Sequence, residues 1–305
     1  MLSEANYLLC GAHAMLLTCA FLAWPWMARR LRLPRSTWVL LLTLTGVAAA
    51  ANIACALLLN RQGHWLGAVV VGLSCLAVGV WPGLVLRRMI PTGAVSAERR
   101  VLAVGAHPDD LELACGATLA KLVDTGHEVH GLVMSHGQRG GHGEVRGTEA
   151  RRGADAIGMR SIEVLDLPDT QLAETGDAMV RAIEDAVRRY NPDMILTHSA
   201  NDHHQDHSAV HLATLRAARR HSSILCYESP SATRNFDPSV FVDVTDHLPS
   251  KLHAVRQHRD QAGKPYMTGD RLTSVAAFRG AQARRPLAEG FEVVRFVGLD
   301  GEEIR

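Results

Sequence analysis

The stretch Arg100–Leu122 reads RVLAVGAHPDDLELACGATLAKL, and the rest of the chain is interpreted from it. Its first part, Val101–Ala106, has the apolar composition of a buried strand, and its last part has that of a helix. Between them stand an imidazole and two adjacent carboxylates, those of His107, Asp109 and Asp110. Because carboxylates at the end of a buried strand are costly without a cationic partner, the stretch predicts a metal ion at this point.

After this stretch, short apolar segments alternate with amphipathic ones to the end of the chain. The predicted strands are 101–106, 128–134, 162–167, 194–197, 224–227, 240–244 and 291–297. The predicted helices are 114–123, 146–157, 177–190, 207–220 and 247–261, and the pattern gives no assignment for 262–290. This alternation favours an α/β, Rossmann-like fold, with a mostly parallel sheet and helices on both faces. In such folds the site lies beyond the carboxyl ends of the strands, where the strand order reverses.

The first part of the chain has a different composition. Three apolar runs, at about 7–28, 38–59 and 65–86, contain no Asp, Glu, Lys or Arg. Each has about the 20 residues that a helix needs to cross a bilayer. We therefore expect a membrane region over 1–90 with three transmembrane helices, a linker over 91–99 and a soluble domain over 100–305.

Basic residues indicate the orientation of the membrane region. Four arginines lie between the first two runs and four more follow the third, whereas only Arg61 lies between the second and third. The positive-inside rule then predicts that the amino terminus lies outside and the soluble domain in the cytoplasm of a multi-pass cell-membrane protein. The net charge of +1 gives no reason to expect a nucleic-acid partner. The six cysteines form no CxxC pair, and Gly105 does not begin a GxGxxG motif, so we expect neither a disulfide framework nor a nucleotide cofactor.

A second polar cluster follows the fourth predicted strand. The loop from Thr197 to His211 reads THSANDHHQDHSAVH and is rich in histidine and aspartate. A catalytic zinc site uses three protein ligands and leaves one position open. His107, Asp110 and one histidine of this loop would supply them, and we select His207 because it starts the helix beyond the strand.

The two clusters carry a family resemblance. AHPDDLELACGATLAKL and NDHHQDH resemble the first and second signatures of the PIG-L/LmbE-like N-acetylglucosaminyl deacetylases. Weaker matches are VRGTEARRGADAIG, LPDTQL, KLHAVRQHRDQ and FRGAQARRPLAEGF, so that the resemblance covers about 100–297. The chain departs from the family pattern at Gln205, where proline is usual, and at Asp260, where serine is usual.

The resemblance implies a role for particular residues. It makes His107, Asp110 and His207 the ligands of a zinc ion, or of another divalent metal, and Asp109 the general base. His204, in its protonated form, would act as the acid or stabilise the oxyanion, with Asp206 as its orienting partner. Arg146 and Asp169 match the family's substrate-binding arginine and aspartate. The proton that reaches the leaving amine could come from Asp109 or from His204.

The sequence therefore predicts a zinc-dependent N-deacetylase whose substrate is a small-molecule or lipid-linked N-acetyl amino sugar. Two alternatives stay open at this point. One is a metal-dependent hydrolase of another amide or of a phosphoester, and the other is a non-catalytic membrane metal-binding module. The sequence does not predict an oligomeric state.

Overall fold

The structure is a computed structural model that describes residues 2–30, 34–58, 65–88 and 98–297. It divides into two compact units, Met1–Pro91 and Thr92–Arg305. The predicted linker over 91–99 lies mostly outside the described residues.

The first unit contains three helices, α1 (Leu2–Arg30), α2 (Pro34–Leu58) and α3 (Trp65–Arg88). All three are long and apolar enough to cross a membrane. A few polar side chains are buried between them. The Asn52 amide donates to Ser74 Oγ at 2.6 Å, and His13 Nδ1 lies 2.7 Å from its own helix at Leu9 O.

The second unit is built on a seven-stranded sheet. Its strands are β1 (Arg100–Gly105), β2 (Glu128–Val133), β3 (Ser161–Val164), β4 (Met194–His198), β5 (Ile224–Tyr227), β6 (Val240–Asp243) and β7 (Ala288–Arg295). The order in the sheet is β3-β2-β1-β4-β5-β7-β6. The first five strands are parallel, and β7 runs antiparallel to both β5 and β6. The order reverses at β1, which pairs with β2 on one side and with β4 on the other.

Helices cover both faces of this sheet. They are α4 (Asp110–Asp124), α5 (Gly143–Ile157), α6 (Gly176–Tyr190), α7 (Gln205–Ala217), α8 (Leu248–Val255) and α9 (Gly269–Ala283). One apolar core joins the sheet to α4, α5 and α8, and a second joins the opposite face to α6 and α7. The predicted α/β, mostly parallel fold with helices on both faces is confirmed.

The largest differences from the sequence prediction are in three helices. Helix α4 begins at Asp110, four residues before the predicted start, because the polar residues that seemed to form a loop make its first turn. Helix α9 lies in the segment that had no assignment, and its mostly exposed surface gives a weak periodic signal. The predicted helix over 247–261 ends at Val255 and is followed by a short 3-10 turn.

Candidate active site

Polar loops from four parallel strands meet at one edge of the sheet, as predicted. They follow β1, β2, β3 and β4, and they surround a cavity of about 290 Å³. The residues that line it are His107, Asp110, Leu113, Arg139, Gly140, Arg146, Asp169, Thr170, His204, His207, Pro230, Ser231, Lys264 and Tyr266. The edge at which the strand order reverses therefore carries a small-molecule-sized cavity.

Asp110 links the first motif to the histidine-rich loop that follows β4. Its Oδ2 accepts the backbone N–H groups of Ala106 and His107, at 2.9 and 2.7 Å, and lies 3.1 Å from His198 Nε2. Its Oδ1 lies 3.4 Å from His207 Nε2. Burial favours the neutral acid, but the facing imidazoles outweigh it and hold the pKa of Asp110 well below its usual range. Asp110 is therefore a carboxylate fixed between two imidazoles.

His107 lies between three carboxylates. Its Nδ1 is 3.6 Å from Asp110 Oδ2, and its Nε2 is 3.1 Å from both Asp169 Oδ1 and Asp206 Oδ2. Burial disfavours the imidazolium, but hydrogen bonds to these acids raise the pKa of His107 well above its usual value. The ring is thus oriented by Asp206 and Asp169 on one side while its other nitrogen faces Asp110.

His207 is held in the same way from α7. Its Nδ1 lies 2.9 Å from Asp202 Oδ2, and Asp202 also accepts hydrogen bonds from the hydroxyls of Ser229 and Ser231. Burial lowers the proton affinity of this ring, but the charge of Asp110 outweighs it and raises the pKa of His207 to about 9. A carboxylate on one imidazole nitrogen that leaves the other nitrogen facing a ligand position is the usual arrangement around protein-bound zinc.

Asp109 is buried beside the cavity and contacts Arg146. Arg146 Nη2 lies 3.3 Å from Asp109 Oδ2, and Arg146 Nη1 donates to the carbonyl oxygen of Gly137 at 2.5 Å. Burial, together with the charge of Asp110, raises the pKa of Asp109 to about 6, although Arg146 opposes this rise. A carboxylate with a pKa near neutrality can both accept and release a proton at physiological pH.

Asp206 has a different partner from the predicted one. Its carboxylate is fully buried and accepts hydrogen bonds from the N–H groups of Thr170 and Leu172 at 2.7 and 3.2 Å. Its Oδ2 also lies 3.1 Å from His107 Nε2. Only its backbone N–H reaches the ring of His204, at 3.2 Å from Nδ1. The reason is local: His204 caps the amino terminus of α7, which places the first-turn N–H against its ring.

His204 also differs in its charge. Burial and the neighbouring His207 lower the pKa of His204, so the ring is neutral at pH 7, contrary to the protonated form that the sequence suggested. Because Nδ1 accepts the N–H of Asp206, the proton of the neutral ring lies on Nε2. His204 therefore presents an N–H donor without carrying a charge.

Asp169 and Arg146, the predicted substrate-binding pair, both line the cavity. Asp169 Oδ2 accepts the backbone N–H of Arg139 at 2.7 Å. Burial opposes ionisation, but hydrogen bonds from His107 and from this N–H lower the pKa of Asp169 to about 2. The site thus holds an ionised acceptor and a guanidinium at its wall.

The donor set suits a divalent metal such as zinc. Three groups, each of three residues, bring their ligand atoms within 4.8 Å of one another: His107, His204 and His207; Asp110, His198 and His207; and His107, Asp169 and Asp206. These are imidazole nitrogens and carboxylate oxygens, which zinc accepts. In addition, His198 Nδ1 is buried without a hydrogen-bond partner among the described residues. The predicted trio of His107, Asp110 and His207 is not itself one of these three groups. Asp110 nevertheless lies 3.6 Å from His107 Nδ1 and 3.4 Å from His207 Nε2.

The sequence interpretation gave no role to several residues at this site. His198 and Asp202 lie in the histidine-rich loop, so their motif could have indicated them. Ser231, Lys264 and Tyr266 come from loops after β5 and α8, and no local pattern in the sequence marks them.

Comparisons with known proteins agree with the family resemblance and with the fold. Residues 102–218 match the family described as PIG-L: GlcNAc-PI de-N-acetylase. The chain is 36% identical over 173 residues to the uncharacterized deacetylase YaiS of Escherichia coli, which covers 54% of this chain and 94% of that protein. It is 29% identical over 232 residues to the diacetylchitobiose deacetylase of Thermococcus kodakarensis, which covers 65% of this chain and 83% of that protein.

A solved structure of the same fold has another activity. The 4-carboxy-2-hydroxymuconate hydratase GalB of Pseudomonas putida superimposes with a TM-score of 0.58 at 23% identity, covering 68% of this chain and all of that one. This likeness concerns the fold alone, so the reaction has to be argued from the site. The two motifs, the cavity between them and the extent of the match to YaiS place this chain in the PIG-L family of deacetylases.

Proposed function

We propose that this protein is a zinc-dependent hydrolase that removes the N-acetyl group from an N-acetylglucosamine-type glycoconjugate. One observation carries the proposal. His107 and Asp110 meet His207 across the sheet, about a hundred residues away in the chain, at the wall of a cavity. Because two of the matched relatives are deacetylases, we take the bond that is broken to be the amide of an N-acetyl group.

His107, Asp110 and His207 would hold the zinc ion. When bound, zinc supplies Lewis-acid chemistry, because it acidifies water and polarises a carbonyl oxygen. Asp202 and Asp206 then act as the outer carboxylates that fix the tautomer of the two histidines.

Asp109 would handle the proton. Its raised pKa lets it accept a proton from the attacking water and pass it to the leaving amine, so one residue serves both steps. We assign the proton of the leaving amine to Asp109 and not to His204, because the pKa of His204 is lowered and its ring is neutral. A neutral imidazole that keeps its single proton on Nε2 is a poor acid.

His204 would stabilise the charge that develops on the acetyl oxygen. Its Nε2–H is a neutral donor at the cavity wall, next to the rings of His107 and His207 at centroid distances of 4.8 and 4.5 Å. Removal of one donor of this kind costs about 10²–10³ in rate.

Arg146 and Asp169 would bind the sugar. A cavity of about 290 Å³ is at the small end of ligand sites, which span about 300–1,000 Å³, and therefore suits one amino-sugar ring with its acetamido group. The ionised Asp169 can accept hydrogen bonds from sugar hydroxyls, and Arg146 can donate them.

The helices α1, α2 and α3 would anchor the enzyme in the cell membrane, with the catalytic unit in the cytoplasm. The support is their length and composition, together with the distribution of arginines. An anchored enzyme would meet lipid-linked amino sugars readily, so we extend the proposed substrates to these.

The test is acetate release from a panel of N-acetylglucosaminyl substrates by the purified full-length protein. Wild type should release acetate in a zinc-dependent manner, His107→Ala should lose both zinc and activity, and Asp109→Asn should keep zinc but lose turnover. His203→Ala is the matched control, because His203 lies in the same loop with an exposed side chain. Absence of zinc-dependent release from every acetylated amino sugar would refute the proposal, and full activity of Asp109→Asn would refute its mechanism.

A further inference from the structure

Helix α4, which begins with Asp110, is interrupted at its sixth residue. Cys115 has φ −131° and ψ 17°, outside the helical range. In a continuous helix the N–H groups of Ala117 and Thr118 would bond to the carbonyls of Leu113 and Ala114. The interruption lies in the protein interior, where unpaired backbone groups are costly, so these groups need other partners.

Two charged side chains from the far end of the sequence supply those partners. Glu289, in β7, accepts the N–H groups of Ala117 and Thr118 at 3.3 and 2.7 Å. Lys251, in α8, donates to the carbonyl of Ala114 at 3.3 Å and to Glu289 Oε1 at 2.6 Å. The ion pair therefore bridges the two halves of α4 at the interruption.

The pair is buried and closely fitted. Lys251 and Glu289 are each only 5% exposed. The stem of Lys251 passes Gly116 so closely that a Cβ there would lie 3.3 Å from Lys251 Cγ. A buried ion pair is weak evidence for stability, because apolar side chains of similar size often serve as well. This pair instead bonds to three backbone groups of α4, which indicates that it fixes the local geometry of that helix.

The part of α4 before the interruption is a single turn. It carries Asp110 and directly follows Asp109, and a turn of this length cannot set its own direction without tertiary support. We propose that Lys251 and Glu289 are positioning residues that fix the direction of this turn, and thereby the place of the Asp110 carboxylate in the metal site. The inference relies on the proposed function only in taking Asp110 as a metal ligand.

A second ion pair in the same unit, with Arg279 buried and Glu228 partly buried, offers a control. Arg279 donates to Glu228 through Nε and Nη2, at 2.8 and 2.7 Å. Both pairs line one cavity of about 460 Å³ next to the catalytic cavity. The hydrogen bonds found for Arg279 lead to Glu228 and Gln282, and none of them leads to α4.

The experiment compares Lys251→Met, Glu289→Gln and the control Arg279→Met in the full-length protein. Zinc affinity is measured by competition with a chelator, kcat and KM by acetate release, and amide hydrogen exchange over residues 107–118 in the metal-free protein. In the first two variants we expect the zinc Kd to rise by about 10–100-fold, as for other residues that orient ligands. We also expect kcat to fall with KM unchanged, and exchange over 107–118 to accelerate.

The control should lose thermal stability while its zinc Kd and its exchange over 107–118 stay at the wild-type level. Glu289→Gln keeps a side-chain oxygen for the N–H of Thr118, so it is the variant measured if Lys251→Met does not fold. An unchanged zinc Kd in the variants of the pair, or an equal loss in Arg279→Met, would overturn the inference. The two variants of the pair could show a raised zinc Kd although even the wild type deacetylates no substrate. That result would support the inference and refute the proposed activity.

Discussion

The metal-free protein should lose stability as the pH rises from 6.5 to 9. Removal of the metal leaves His207 between the carboxylates of Asp110 and Asp202. These raise the pKa of His207 from 6.5 to about 9, so the folded state binds a proton that the unfolded chain has released. A folded-state pKa above the unfolded value stabilises the protein fully below pH 6.5, and this stabilisation is lost as the pH rises through about 9.

The size of the effect follows from the two pKa values. At about 1.4 kcal/mol for each tenfold change in proton affinity, the contribution of His207 is at most about 3.5 kcal/mol. Pulse proteolysis in urea measures the free energy of unfolding of the catalytic unit without a spectroscopic probe, which matters because all five tryptophans lie before residue 82. The metal-free wild type should become less stable by up to this amount between pH 6.5 and pH 9.

His207→Gln should show a smaller dependence on pH, because the remaining contribution comes from other groups such as His107. The zinc-loaded wild type should also show a smaller dependence, since a ligand histidine binds the metal in its neutral form. If the free energy of unfolding of the metal-free protein is constant or rises between pH 6.5 and pH 9, His207 does not stabilise the folded state by binding a proton. An equal slope in wild type and His207→Gln would lead to the same conclusion.

Further predictions concern the groups around the metal site. Arg146→Met removes a positive charge that lowers the pKa of Asp109. The acid limb of the pH–rate profile should therefore move to higher pH. A limb that stays in place or moves to lower pH would contradict this. In the zinc-loaded wild type that limb should lie at or below about pH 6, because a bound cation adds to the stabilisation of the carboxylate, and a limb at pH 7 or above would exclude Asp109 as the base. Asp202→Asn should weaken zinc binding by about 10–100-fold in a chelator competition, because it removes the negative partner of His207, whereas an unchanged affinity would show that this pair does not orient a ligand.

The orientation of the site was predictable because one rule of the fold applies to all four loops. Parallel strands end at the same edge, so polar residues after β1 and β4 had to meet, although they are distant in the chain. The motif around His107 and the motif around His207 then predicted which residues would bind the metal. Local patterns also located the three apolar helices and most of the strands.

Other features depend on tertiary contacts that no local pattern encodes. The interruption at Cys115 exists because Lys251 and Glu289 satisfy its backbone groups, and both residues come from more than 130 positions later in the chain. The partner of Asp206 could not be inferred from its neighbour His204, since the helix turn directs only its N–H there. The neutral state of His204 follows from its burial and from the ring of His207, which appear only in the folded chain.

The central claim is that one zinc ion per chain makes this site an N-deacetylase. The most direct measurement strips the full-length protein of metal, returns zinc in measured amounts, and follows acetate release from an N-acetylglucosaminyl substrate. We expect no release without metal, and activity that rises in proportion to zinc and levels off at one equivalent per chain. Release by the metal-free protein, or a requirement for two equivalents as in a two-metal hydrolase, would contradict this claim.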